Sequence, residues 1–122
     1  MKSSAWTDSS GSSAVEFALI LPAFLALLVG GFYLALLGFA LSNMRFAAEE
    51  GARCASVQTT ICTNDTTTAA LALSRFRGPG TGATFTSSTA SCGHLVTATM
   101  TYRLNAVVTS IDIPLSARAC FP

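Results

Sequence analysis

Residues 17–41, FALILPAFLALLVGGFYLALLGFAL, decide the fold of this chain, because they form a run of twenty-five residues without a charge. A helix of that length spans about 37 Å at about 1.5 Å per residue, enough to cross a hydrocarbon core of about 30 Å. The apolar region of a secretory signal peptide is shorter, about 7–15 residues. The run therefore predicts a transmembrane helix that stays in the mature protein.

The composition agrees with a membrane anchor that carries a small soluble head. Hydrophobic residues make up 51% of the 122 residues and charged residues only 11%, which is an apolar balance. The part of the chain after the span is long enough for one small domain. The formal net charge of +1 gives no reason to expect a nucleic acid partner.

A single carboxylate, Glu16, lies at the N-terminal edge of the apolar run. A carboxylate in or beside hydrocarbon costs about 2.5–3.5 kcal/mol on insertion scales, so a compensating interaction is expected. One interpretation is local: Ser12 or Ser13 caps the helix, and residues 13–16 (SAVE) form a capping box at the positive end of the helix dipole.

Small residues recur within the span at spacings that let helices approach closely. The pairs Ala26/Gly30 and Gly31/Ala35 are small-xxx-small, and a further small residue follows. Helix packing is therefore predicted at Ala26, Gly30, Gly31, Ala35 and Gly38. The signal is a weak one, since glycine and alanine are common in any membrane span.

Helical character continues beyond the span, which predicts one helix from about Ser13 to about Val57. Arg45, Glu49 and Arg53 are spaced four apart and can interact along one face, while Phe46 is expected to begin the contact with the head. A second helix is predicted from about Thr66 to Phe76, with Asn64 or Asp65 as its cap. Its buried stripe is expected to be Ala69, Ala70, Leu73 and Phe76.

Two later segments alternate in polarity, as half-buried antiparallel strands do. The inward residues are predicted to be Val96, Ala98, Met100 and Tyr102 in the first, and Ile111, Ile113, Leu115, Ala117 and Ala119 in the second. Pro114 falls on the outward phase, which suits an edge strand, and residues 83–86 (ATFT) favour a further short edge strand. The fold class predicted is α+β: a long N-terminal transmembrane and spine helix, a short second helix and a small antiparallel sheet.

The four cysteines, Cys54, Cys62, Cys92 and Cys120, all follow the span. An even number on one side of a membrane favours two disulfides and an oxidising compartment, so the head is expected outside. The distribution of basic residues leans the other way, with Lys2 before the span and Arg45 and Arg53 after it. Paired thiols do not persist in a reducing cytosol, so the cysteines decide the orientation predicted here.

Three cysteine pairings are open, and we favour Cys54–Cys62 with Cys92–Cys120. The first would close the turn after the long helix, and the second would join the start of one predicted strand to the end of the next. Cys92 and Cys120 have opposite strand parity, which a bulge at Gly93 would reconcile. A zinc site is disfavoured because no CxxC spacing exists.

No catalytic pattern stands out. His94 is the only histidine, and no motif places an acid or a nucleophile beside it. The glycines around Pro79 have no preceding strand or following helix, as a phosphate-binding loop would require. We therefore expect a protein that is not an enzyme and that has no cofactor and no metal site.

The opening stretch resembles a known family. A type IV prepilin processing site has a glycine, four further residues, a glutamate, an aromatic residue and then an apolar run, and here these are Gly11, Glu16 and Phe17 followed by the span. The stretch more specifically resembles TadE-like pseudopilins, which are minor pilins of the tight-adherence (Flp) system. The resemblance is carried by residues 11–32 (GSSAVEFALILPAFLALLVGGF) and residues 46–55 (FAAEEGARCA). The resemblance covers residues 11–55. It implies a pilin-like fold with a cytoplasmic leader (1–11), a transmembrane and spine helix (12–57) and an extracytoplasmic head (58–122).

The resemblance also implies a mechanism. A prepilin peptidase would cut between Gly11 and Ser12, which makes Glu16 the fifth residue of the mature chain. Glu16 and Phe17 would then contact a neighbouring subunit, with the carboxylate beside that subunit's N-terminal ammonium. The partners implied are the prepilin peptidase, other pilins and minor pilins, the inner-membrane assembly platform, and membrane lipid before assembly. The location implied is the cytoplasmic (inner) membrane as a single-pass protein, and then the extracellular pilus, where a place at the tip is one option.

Two other functions remain open. An uncleaved, membrane-anchored ectodomain with a binding role predicts that Gly11→Ala and Glu16→Ala leave localisation and partners unchanged. A secreted binding module, released after residues 40–42 (ALS), predicts a soluble product that begins at Asn43.

Overall fold

A computed structural model gives the structure of this chain and describes residues 10–106 and 108–122. The elements in chain order are helix α1 (Ser10–Val57), helix α2 (Asp65–Arg75) and strands β1 (Thr84–Ala90), β2 (Gly93–Asn105) and β3 (Ser110–Phe121). The predicted α+β class is confirmed: a long N-terminal apolar helix, a short second helix and a three-stranded antiparallel sheet. The chain divides into two compact units, Met1–Leu34 and Ala35–Pro122.

In the first unit the described residues all belong to α1, which continues through Pro22. The side chains of residues 11–32 are exposed, and α1 is long and apolar enough to span a membrane. The capping prediction is wrong, because Ser12 and Ser13 lie inside the helix and not at its start. Serine has only a modest cost inside a helix, and a helix that has formed extends readily into flanking residues.

The second unit has a core in which α1 contributes mostly small side chains. Ala40, Met44, Ala47, Ala48 and Ala52 are buried on one face of α1, at the spacing of a helical stripe. The predicted contact through Phe46 is wrong, since 54% of that side chain is exposed. Phe46 lies two residues after Met44, and residues two apart on a helix do not share a face.

Helix α2 packs unusually close to α1 at Gly51. A Cβ atom on Gly51 would lie 2.9 Å from the Cβ of Ala72 and 3.6 Å from the carbonyl oxygen of Thr68. The buried residues of α2 are accordingly Thr68 and Ala72. The predicted stripe is wrong in part, because Ala70 is exposed and Leu73 is 50% exposed. Small side chains permit the close approach, and a large leucine would prevent it.

The bounds of α2 agree with the prediction to within one residue. Asn64 is its N-cap and forms a capping box with Thr67. The side chain of Asn64 accepts a hydrogen bond from the backbone N–H of Thr67 at 2.9 Å, and the hydroxyl of Thr67 accepts one from the backbone N–H of Asn64 at 3.1 Å. These bonds satisfy donors that a helix start leaves unpaired.

The sheet has the order β1-β2-β3, so β2 is central and the other two are edge strands. The pairings Phe85↔Ala98 and Ala98↔Ala117 align inward residues of all three strands. The buried residues of β2 and β3 are Val96, Ala98, Met100, Leu115 and Ala117, as their alternation predicted; Ile111, predicted inward, is exposed at the far end of β3. Pro114 is exposed on edge strand β3, and β1 runs four residues beyond the predicted segment.

Gly93 differs from its prediction. The register from His94↔Phe121 to Asn105↔Ser110 advances one residue at a time, so there is no bulge. Cys92 lies instead in the two-residue turn between β1 and β2, outside the strand whose parity it appeared to break. Gly93 has a φ of 123°, and a Cβ atom there would overlap the carbonyl oxygen of Phe121. Only glycine fits this position without strain.

Candidate functional site

The residues predicted to take part in processing and assembly lie in the first turns of α1. Gly11, Ser12, Glu16 and Phe17 are all exposed, and 65% of the surface of Phe17 is accessible. No ion pair or hydrogen bond joins the Glu16 carboxylate to any described part of the chain. Leader residues 1–9 lie outside the described residues. The carboxylate is thus available to a group on another molecule.

The predicted helix-packing residues also face outward. Ala26, Gly30, Gly31, Ala35 and Gly38 are exposed. A Cβ atom on Gly30, Gly31 or Gly38 would meet nothing within 4 Å. Within residues 10–106 and 108–122, nothing else packs on these glycines. Ala26 and Gly30 lie on one side of α1, and Gly31, Ala35 and Gly38 lie on another. Small residues on either side let another helix approach closely.

Two disulfides hold the second unit. Cys54 bonds Cys62 with their Cα atoms 5.8 Å apart, and Cys92 bonds Cys120 with theirs 6.2 Å apart. These are the two pairings favoured from the sequence. Cys54 and Cys62 are buried together with Ala55, so the first disulfide ties the end of α1 to the loop that leads into α2.

The C-terminal residues close against the same end of α1. The hydroxyl of Ser56 donates a hydrogen bond to the carbonyl oxygen of Pro122. The Cys92–Cys120 disulfide holds the β1–β2 turn to the end of β3, two residues before Pro122. The turn, the last strand and the last turn of α1 are therefore joined by covalent and polar contacts at one end of the unit.

One ion pair crosses the outer face of the sheet. The Nε of Arg103 donates to Oδ1 of Asp112 at 2.8 Å, and Nη2 donates to Oδ2 at 3.2 Å. The hydrogen bond from Arg103 lowers the pKa of the Asp112 carboxyl, and the same bond raises the pKa of the Arg103 guanidinium. This cross-strand pair is thus internally neutralised at neutral pH and leaves little charge for a partner.

The charged residues near the C-terminal end of α1 form no ion pair with any described residue. Arg45, Glu49 and Arg53 are exposed, but among the described residues no ion pair joins them, so the predicted interaction along that face is not formed. Glu50 and Arg53 instead line a groove with Arg75 of α2. The sequence analysis missed this groove, although Glu50 and Arg53 are three apart and so share a helix face.

The other titratable groups form no obvious reactive site. Asp65 accepts a hydrogen bond from the hydroxyl of Ser87 at 2.9 Å, and His94 is half-buried beside the start of α2. In the part of the chain that the structure describes, no group of three His, Cys, Asp or Glu residues could hold a metal ion.

The fold and these surfaces define a class: a protein with one N-terminal helix able to span a membrane and a disulfide-bonded α+β head. Residues 11–53 match the family model described as TadE-like protein. The resemblance to TadE-like proteins that the sequence indicated is thereby confirmed over this segment. No curated protein and no solved structure matches the chain.

Proposed function

We propose that this protein is a minor pilin of a Tad (Flp) pilus, cleaved after Gly11 by a prepilin peptidase and then built into the pilus or its initiating complex. The observation that carries the proposal is the position of Glu16. The match to TadE-like proteins begins at Gly11. The exposed Glu16 carboxylate, which has no partner among the described residues, lies five residues later at the start of the apolar helix.

Cleavage would create the partner that Glu16 lacks. The new N-terminus at Ser12 would carry an ammonium group. Because the other side chains at this edge of the helix are uncharged, the ammonium of a neighbouring subunit is the complementary group that assembly supplies. Pairing of the two charges offsets the cost of holding a carboxylate beside hydrocarbon. The exposed Phe17 supplies apolar contacts for the same neighbours, and the open space beside Gly30, Gly31 and Gly38 lets their helices approach α1.

The proposal includes a topology and a set of partners. The chain lies in the inner membrane with its head outside, and it meets the peptidase, the assembly platform and other pilins there. Its role is structural and not enzymatic. The disulfides favour this orientation, because thiols are kept reduced in the cytosol.

The first experiment identifies the N-terminal residue of the membrane-extracted protein by intact mass and terminal peptide analysis. A terminus at Ser12 in the wild type, lost in Gly11→Leu and kept in the matched control Ser10→Ala, supports processing. Glu16→Ala should then be cleaved but fail to enter pili. A wild-type terminus at Met1 contradicts the proposal and leaves the uncleaved, anchored ectodomain.

A further inference from the structure

The charged residues near the end of α1 lie on two adjoining faces of the helix, and Arg53 lies between these faces, about 40° round the helix from Glu49 and about 60° from Glu50. Arg45 and Glu49 are four residues apart and so lie on one side; we call them the charged ridge. Glu50 follows Glu49 and lies about 100° further round the helix, on the side of α2. Glu50, Arg53 and Arg75 line the groove described above, of about 270 Å³, together with Val57 and Leu71; we call this the charged groove.

None of these five groups has a partner among residues 10–106 and 108–122. Among the described residues the ion pair found is Arg103–Asp112, and no hydrogen bond is made by the side chains of the ridge or the groove. Arg45, Glu49, Arg53 and Arg75 are exposed and Glu50 is half-buried. Both surfaces therefore have charge to offer to another molecule.

The order of charge along the helix is complementary between the two surfaces. In chain direction the ridge presents a positive group and then a negative group, Arg45 and Glu49. The groove presents a negative group and then positive groups, Glu50 followed by Arg53 with Arg75 beside it. A parallel copy displaced by four to five residues, about 6–8 Å along the helix, would bring opposite charges together at both levels.

We propose that the charged ridge of one copy docks in the charged groove of a second copy of this chain, with Arg45 opposite Glu50 and Glu49 between Arg53 and Arg75. The inference rests on the proposed function, since assembly from one membrane keeps the helices parallel. The two surfaces differ, so each bound copy leaves its own groove or ridge free. Such a heterologous contact does not close and permits a run of copies.

Apolar surface supports the same contact. Val57, at the rim of the groove, is 63% exposed, and Phe46, one turn before Glu50 on the same side of α1, is 54% exposed. Docking would cover some of this surface and partly remove the ion pairs from water. Charges placed this way select the register and exclude others, because a copy without displacement sets like charges near one another.

Cysteine crosslinking tests the contact directly. All four native cysteines are in disulfides, so an added cysteine is the sole free thiol. Two differently tagged copies are expressed together, one with Glu49→Cys and the other with Arg75→Cys, and are oxidised in the membrane. We expect a crosslink between the two tags, and none between two Glu49→Cys copies or between Glu49→Cys and Arg118→Cys, an exposed control on the sheet.

Crosslinking of the two Glu49→Cys copies at an equal level, or no crosslink at the proposed pair, overturns the inference. Intact mass of each variant verifies that two disulfides have formed, and peptide mapping verifies that they are Cys54–Cys62 and Cys92–Cys120, so a lost or exchanged disulfide does not explain a negative result. A charge-exchange experiment is a second test of the contact. The Glu49→Arg variant should lose high-molecular-weight assemblies. The triple variant, which combines Glu49→Arg with Arg53→Glu and Arg75→Glu, should regain them. Unchanged assemblies in Glu49→Arg also overturn the contact.

The experiment separates this inference from the proposed function. A wild-type chain that begins at Ser12 and enters pili, while the proposed cysteine pair gives no crosslink, contradicts the contact alone. A wild-type chain that keeps its leader contradicts the proposed function, and crosslinking in the membrane still decides the contact.

Discussion

At the scale of single residues, Glu50 and Gly51 are neighbours in α1 but face different surroundings. Gly51 faces inward and is buried, where its missing side chain lets α2 approach, while Glu50 faces the groove. A glycine inside a helix costs about 1 kcal/mol relative to alanine. Its presence in residues 49–53 (EEGAR) is therefore a sign of a packing requirement, and the structure supplies that requirement as the contact with Ala72.

Gly51→Ala is expected to destabilise the protein, although alanine is the better helix former. The added Cβ would lie 2.9 Å from the Cβ of Ala72, and overpacking costs about 1–3 kcal/mol, which outweighs the helix-propensity gain of about 1 kcal/mol. Thermal unfolding of the full chain in detergent measures the change. The matched control is Gly38→Ala, where a Cβ meets nothing within 4 Å.

The control is expected to move in the other direction, with a gain of up to about 1 kcal/mol from helix propensity alone. Equal gains in the two variants would show that Gly51 is not a packing residue. A loss in both would point instead to a general intolerance of side chains on α1.

At the scale of the elements, the alternation along the strands predicted the buried residues better than the helical spacing in α2 did. The strands β2 and β3 were predicted well because residues two apart share a face of a sheet, so the inward set follows from alternation. Helix α2 is short, and its core side was predicted from the helical spacing of Ala69, Ala70, Leu73 and Phe76. The structure packs it through Thr68 and Ala72, because the distance to α1 is set by Gly51, and nothing local to α2 encodes that distance.

The candidate functional site was also predicted only in part from the sequence. Glu16 and the small residues of the span were found from a local pattern around one apolar run, and the structure leaves them exposed. The charged groove was missed because it joins Arg53 and Arg75, two residues on different helices. Their proximity depends on how α2 packs, and that is a property of the folded unit.

The two disulfides should differ in what they contribute to stability. In the chain-entropy account a disulfide restricts the unfolded chain more when it closes a longer loop. The sequence separations are 8 for Cys54–Cys62 and 28 for Cys92–Cys120, which predicts contributions of about 2.6 and about 3.6 kcal/mol. Paired Cys→Ser variants of each, compared by denaturant unfolding of the full chain, should thus differ by about 1 kcal/mol.

A larger loss from the Cys54–Cys62 variant would contradict the loop-entropy account for this protein. It would mean that closing the end of α1 near the buried Ala55 stabilises the folded state directly. The two variants serve as controls for each other, because each replaces two cysteines by two serines in the same chain.

At the scale of the whole molecule, two rules give opposite orientations. Lys2 precedes the span, and Arg45 and Arg53 follow it, which by the positive-inside rule favours a cytoplasmic head. That rule applies to short segments of up to about 60 residues, while longer domains are translocated largely regardless of charge. The compact unit Ala35–Pro122 exceeds that length, and it holds both disulfides. We therefore expect the head outside the cell membrane.

A membrane-impermeant maleimide tests this orientation, because the native protein has no free thiol. Thr81→Cys, in the exposed loop before β1, should be labelled in cells whose inner membrane is intact. Ser13→Cys, at the other end of the span, should be labelled only after that membrane is permeabilised. The reverse pattern would place the head in the reducing cytosol, where its four cysteines would stay unpaired, and it would leave cleavage on the cytoplasmic side without a substrate. Since processing, disulfide formation and docking of ridge and groove all need the same orientation, this measurement bears on each of them.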